Sequence, residues 1–409
     1  MSTFLRLLKE SDKAEALMAA CNHLRQAEND SRSFEVASES FDWVPSKPFA
    51  YWVSESVRRV FHQLPAFEGT GRTTKQGLAT ADDFRFVRIW WESPGLGWMA
   101  FAKGGAFSPI YADVYLVIEW RAMGSVLKAK AVQEHGNYGK RVYNEEYYFR
   151  PGLTWPRRTQ GGLSLRAMPA GCIFGDKGPA AFCRTDDSEE LLALLALTNS
   201  RAFGLLVSLQ MAFGSYEVGV IQRTPVPSLT AAQRKQLANL ARRVWSLKRT
   251  ADSVTETSHA FVLPVAIRAR AGYIDSLAIK MEVDEIKAEM DAIAFDLYGF
   301  AEADREAVNG PVMDDEMDDE MADAGEDDEE AETEVPSMDG LLAWAVGVAF
   351  GRFDLRIATG ERLLPPEPEP FDPLPTKSPG MLPDGAQPFH AHDGILVDDP
   401  GHPHDLARL

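Results

Sequence analysis

The residues best suited to meet a polyanion are crowded into one stretch. Lys140, Arg141, Arg150, Arg157, Arg158, Arg166, Lys177 and Arg184 alternate there with Tyr138, Tyr143, Tyr147, Tyr148, Phe149 and Trp155. Lysine and arginine neutralise phosphates, and a guanidinium fork can read a guanine edge in the major groove. Aromatic rings can wedge between bases or stack on them. Arg157-Arg158-Thr159 follows Pro156 in an expected loop and is the foremost contact candidate. Surface arginines beside core aromatics would leave the same composition. The second candidate is the small-residue stretch Thr73–Thr80, holding Lys75, Gln76 and Gly77. Backbone amides exposed beside a glycine can take a phosphate.

The charge balance divides the chain. Its net charge is -19, yet residues 314–334 alone hold fourteen acidic side chains and no Lys or Arg. Without that run the remainder is only -5. Residues 121–250 carry nineteen Lys or Arg against nine Asp or Glu. Two surfaces of opposite sign are implied, one of them able to approach nucleic acid.

Enzyme motifs are weaker. Phe67-Glu68-Gly69-Thr70-Gly71 matches the F-x-G-x-G turn by which methyltransferases approach S-adenosylmethionine. Such a turn needs a buried strand before it and a helix after it, and neither flank reads that way. A plain loop is expected. Ser108-Pro109-Ile110-Tyr111 echoes the [DNS]-P-P-[YFW] motif that holds a flipped base, but the second proline is missing. Cys172 and Cys183 have no close histidine and read as small buried hydrophobes. His390, His392, His402 and His404 lie in a Pro/Gly-rich tail and read as solvated or partner-facing. No P-loop, nucleophile elbow or acid pair is present, so neither a catalytic nor a metal site is expected in this chain.

These residues need elements to position them, and 409 residues allow roughly two to three domains. No stretch approaches eighteen uninterrupted apolar residues, and the N-terminus lacks a secretory pattern. Three cysteines cannot build a disulfide framework, so a cytoplasmic location is expected. The apolar spacing of Phe4, Leu5, Leu7, Leu8, Ala16, Leu17, Ala20 and Leu24 predicts a helix over 1–30, and a second runs over 48–64. Residues 84–92 and 112–120 read as strands, and 171–183 as two short strands around a turn. Asp187 and Glu190 open a helix that is apolar nearly all round and therefore buried. Val218–Ile221 is compatible with a strand, stopped by Pro225 and Pro227. Thr230 then caps a long helix, and a further helix over 281–298 ends at Gly299.

Taken in order, these segments resemble one family. KQGLATADDFRFVRIWWE (75–92), residues 98–120, 136–182, 191–210 and 216–229, DAIAFDLYGF (291–300) and LLAWAVGVAFGRFDL (341–355) carry the resemblance, over most of 45–355. They are similar to the region downstream of the catalytic domain in large adenine-specific DNA methyltransferases of type IIG restriction-modification and BREX-like phage-defence systems. The helix, PVP and helix run after residue 190 also resembles the end of a target recognition domain in type I specificity subunits.

The resemblance implies an α+β fold. A helical connector (1–65) would precede a mainly β target recognition domain (66–229). A helical region (230–300), a disordered acidic linker (301–337) and a short helix with a Pro/Gly-rich tail (338–409) would follow. By position in the family, Lys75, Gln76 and Gly77 fit one loop near DNA. Lys103, with Gly104 and Gly105, fits a second. Arg157, Arg158 and Arg166 fall in the recognition block, alongside Lys140, Arg141 and Lys177 of the basic window. The partners implied are double-stranded DNA and a methyltransferase catalytic domain or subunit. S-adenosylmethionine would bind that catalytic part rather than this chain. The competing readings are a truncated, inactive remnant and an interaction protein that uses its acidic run.

Overall fold

The computed structural model describes residues 1–8, 10–92, 96–211, 214–270, 275–309 and 338–387. With 44% of residues helical and 13% in strands, the chain is α+β with helix outweighing strand.

The N-terminal segment is not one helix. Strand β1 (Ser2–Leu5) pairs antiparallel with β2 (Ser33–Val36), and helix α1 occupies only Lys13–Arg25 between them. Asp12 sets the start of α1 by accepting from the amides of Ala14 and Glu15, both at 3.0 Å. The second helix, α2 (Glu55–Gln63), likewise starts later than its apolar spacing predicts. Ser54 caps it at the Val57 amide.

Eight strands fall between residues 72 and 183 and form two four-stranded sheets. One has the order β3 (Arg72–Lys75), β10 (Ala180–Cys183), β7 (Gly152–Thr154), β8 (Arg166–Met168). The other runs β4 (Val87–Ile89), β6 (Leu116–Glu119), β5 (Trp98–Ala102), β9 (Ile173–Phe174). The 84–92 strand is thus much shortened. Asp82 caps a single helical turn, α3 (Asp83–Phe86), ahead of β4, and Trp90–Glu92 form a 3-10 turn after it. Between β6 and β7 lies α4 (Arg121–His135), a helix the sequence pattern did not announce. Strands β9 and β10 are the expected pair around a glycine turn, but each joins a different sheet.

The largest core gathers around α5 (Ser188–Thr198) and the long α8 (Ala231–Asp252), which pack along each other. Asp187 caps α5, and Leu191 through Thr198 are all buried. Each buried leucine contributes about 1.5–3 kcal/mol. After Asn199 the chain bends by 67° into α6 (Arg201–Ser208). Val218–Arg223 is a helix, α7, not a strand. It lies against β3: the Thr74 hydroxyl donates to the Val218 carbonyl, and Gln222 Nε2 to the Thr74 carbonyl. Thr230 and Gln233 close a capping box on α8. Short helix α9 (Val265–Arg270) precedes α10 (Ser276–Tyr298), whose cap Gly299 sits at φ +68° as expected.

Part of the expected acidic linker is ordered, since Glu302–Asn309 is helix α11. Residues 310–337 lie outside the described residues. Helix α12 (Met338–Ala349) and the turn α13 (Leu355–Ala358) build a smaller core with Trp90, Phe261 and Phe353. The Pro/Gly-rich segment beyond 359 adds to these cores rather than forming its own. Phe371 and Met381 are buried, and Glu367 and Glu369 hold Arg242 of α8. His390, His392, His402 and His404 lie outside the described residues. Among those described, no single helix is long and apolar enough to cross a membrane.

Candidate nucleic-acid interface

The short strands leave long connections, and most of the candidate residues sit on them, with Lys75 at the end of β3 and Arg166 at the start of β8. Lys75 ends β3, and the loop after it carries Gln76 and Gly77. That loop lies on the loop after β9, where Gly77 and Leu78 donate to the carbonyls of Gly175 (3.3 Å) and Phe174 (2.9 Å). Gly77 permits that approach, because a Cβ there would fall 1.9 Å from the Phe174 carbonyl oxygen. The loop after β5 carries Lys103 and Gly104. It joins the same β9 loop through the Gly175 amide, which donates to Ala102 at 2.8 Å. Gly104, at φ +112°, lies so close to Lys177 that a Cβ would sit 2.6 Å from the Lys177 carbonyl oxygen.

The remaining candidates are tied in the same way. The Arg157 amide donates to the Lys177 carbonyl at 2.9 Å, and the Arg157 carbonyl accepts from Tyr216 at 2.8 Å. The Arg141 carbonyl accepts from Ala79 at 2.8 Å, just beyond the Lys75–Gly77 turn. Asn144 Nδ2 donates to the Gln76 carbonyl at 2.8 Å. Arg166 is 6% exposed, and its guanidinium donates to the carbonyls of Gly104 and Ala106. Burial lowers its pKa to about 10, so it remains a cation at neutral pH. Residues separated by a hundred positions of sequence thus share one connected set of loops.

The cations differ in how they are engaged. Lys103 is paired with Asp83, which stays below the usual carboxylate range: burial raises it, but the bonds from Lys103 and Thr80 outweigh that. Arg157 is paired with Glu217 at 2.7 Å, and Arg141 with Glu134 at 3.7 Å. Lys75 is 3.8 Å from Glu68 and lies over the Tyr147 ring. Arg158 is exposed, and among the described residues its side chain donates only to Ser215 Oγ, at 2.9 Å. Lys140 and Lys177 are exposed and have no ion pair among the described residues. Arg158, Lys140 and Lys177 are therefore the charges readiest for phosphate, while buried Arg166 holds the Gly104 loop. Sequence reading missed Asp83 and Asn144, the groups that fix the Lys103 and Gln76 loops.

The two methyltransferase-like segments have structural positions. Phe67 through Gly71 leads into strand β3, not a helix, so the residues present do not fit a turn that holds S-adenosylmethionine. In the 108–111 segment, the Ser108 hydroxyl donates to the Tyr111 carbonyl at 2.6 Å and the Tyr111 hydroxyl to Asp252 at 2.8 Å. Lys248 Nζ donates to the Pro109 carbonyl at 2.7 Å. Cys172 and Cys183 are buried free thiols, the first raised to about 12 by burial.

No family model matches the chain. It is 22% identical over 377 residues to the adenine-specific methyltransferase PglX of Lacticaseibacillus casei (strain Zhang), covering 87% of this chain and 30% of that protein. It is 26% identical over 232 residues to the adenine-specific methyltransferase BrxX of Escherichia coli O9:H4 (strain HS), covering 54% of this chain and 18% of that protein. The chain thus spans less than a third of the curated relatives it matches, and its similarity is to adenine-specific methyltransferases.

Proposed function

We propose that this chain is the target-recognition part of a site-specific adenine DNA methyltransferase of a restriction-modification or phage-defence system. It binds duplex DNA and positions an adenine for a catalytic domain or subunit supplied from elsewhere, in the cytoplasm. The observation that supports this reading most is the convergence of loops. Gln76, Gly77, Arg141, Arg157, Arg166 and Lys177 lie on segments tied to one another by hydrogen bonds, with Lys75 and Lys103 directly beside tied residues. Lys140 adjoins Arg141 and Arg158 adjoins Arg157. Phosphate contacts from Lys140, Arg158 and Lys177 set affinity, and arginine side chains at 157 and 158 read base edges. On this reading S-adenosylmethionine belongs to the catalytic part, and the similarity to PglX and BrxX supports a methyltransferase-related role.

A titration of the chain with random-sequence duplex at two salt concentrations tests the reading. Tight binding that weakens steeply with salt is expected. Loss of all salt dependence would overturn it, as would failure to bind at low salt both alone and with the cognate methyltransferase subunit added.

A further inference from the structure

The loop that leaves β5 is built to present one aromatic ring. Gly104 and Gly105 both take positive φ, +112° and +109°, and Ala106 and Phe107 follow at the surface. Arg166 anchors the loop from beneath through the Gly104 and Ala106 carbonyls. The amides of Gly105, Ala106 and Phe107 donate to no group among the described residues. Phe107 is 44% exposed although it is a large apolar side chain. Its ring rests against Gly161 in the loop that follows Arg158. A Cβ at Gly161 would fall 2.4 Å from Phe107 Cγ, so a larger residue there would displace the ring.

The surroundings suit a nucleic acid better than a protein partner. Three open amide donors stand next to the ring. Exposed Lys177 has its backbone against Gly104, and Arg158 lies three residues before Gly161. Amides and cations of this kind take phosphate oxygens, and an aromatic ring beside them stacks on a base or wedges into a step. We infer that Phe107 is the stacking residue of the interface, with the Gly105 and Ala106 amides on the adjacent phosphate. This rests on the DNA-reading function proposed above.

The test uses the full chain and a random-sequence duplex, with affinity measured by fluorescence anisotropy over a range of salt. Phe107→Ala should weaken binding about tenfold. Because no charge is removed, the slope of log affinity against log salt should stay that of the unaltered protein. Phe107→Trp should bind within about threefold of the unaltered protein, since it keeps a stacking face, whereas Phe107→Leu should match alanine. Equal binding by the alanine variant and the unaltered protein would overturn the role of Phe107 and leave the DNA reading standing. A tryptophan variant as weak as the alanine one would also exclude stacking. If the unaltered protein fails to bind duplex at all, the DNA reading falls first and this inference with it.

Discussion

The guanidinium of Arg166 donates to the backbone carbonyl of Gly104 across 62 positions of sequence, and a second bond reaches Ala106 at 3.3 Å. Arg166 forms no ion pair among the described residues, so the hydrogen bonds that hold this buried cation go to peptide carbonyls. Its removal frees two carbonyls and unties the Gly104–Phe107 loop from β8. Arg166→Met should therefore cost about 1–3 kcal/mol in urea denaturation. An unchanged midpoint would mean that water replaces the guanidinium without penalty and that the anchor is dispensable.

Gly77 offers a sharper test of the loop arrangement. Its Cβ position lies 1.9 Å from the Phe174 carbonyl oxygen and 2.6 Å from the Phe174 ring. Two backbones must separate to admit even a methyl group. Gly77→Ala should destabilise the protein by about 3 kcal/mol. Gly204→Ala serves as the control, since nothing lies within 4 Å of its Cβ position and it sits inside helix α6, where alanine is favoured. Equal midpoints for the two variants would show that the loops do not touch as described.

The parts of this architecture that were legible in the sequence are local. Asp187 before two glutamates, Thr230 three residues before Gln233, and Gly299 after DLY each act on their own turn, and each cap is present. Other readings failed where distant partners decide. Phe4 and Leu5 fit a helical period as well as a strand, and pairing with Phe34 and Ser33 settles the matter. The run Val218–Ile221 is too short for periodicity to choose, and the bonds that Val218 accepts from Thr74 and Gln222 donates to Thr74 accompany a helix. Helix α4 gives little amphipathic signal, and it opens on Ala122, Met123 and Gly124 in left-handed conformation. For the interface, residue types marked the loops, but their convergence depends on the sheets. Phe107 could not be singled out until its exposure and the anchor beneath it were known.

The unpaired cations make a quantitative prediction for DNA binding. Lys140, Arg158 and Lys177 face solvent and form no ion pair among the described residues, whereas Lys103 is held by Asp83. On the proposed reading, replacing each of the three by Gln should lower the slope of log affinity against log salt by about 0.9. Lys103→Gln should change the slope less and the melting temperature more, because it breaks an ion pair within the fold. A slope that ignores all three substitutions would place the phosphate contacts elsewhere on the molecule.

Lys248 predicts how stability responds to pH. Its Nζ is buried under the 108–111 segment, donating to the Pro109 carbonyl at 2.7 Å and to Ser108 Oγ at 3.3 Å. Burial lowers its pKa to about 7, with the positive charges of Lys287 and Arg166 pushing the same way. In the unfolded chain the ammonium keeps its ordinary value near 10.5. Between those values the unfolded state binds the extra proton, so this group makes stability rise with pH, by up to about 1.4 kcal/mol per unit. The buried thiols Cys172 and Cys183 act oppositely, since burial raises them and the unfolded chain loses those protons first. That opposing effect begins near about pH 8.5, so the clean window lies just below it. Guanidinium midpoints measured from neutral pH up to that limit should climb for the unaltered protein, and Lys248→Met should flatten the climb. Parallel curves for the two proteins would show that Lys248 stays charged in the folded state.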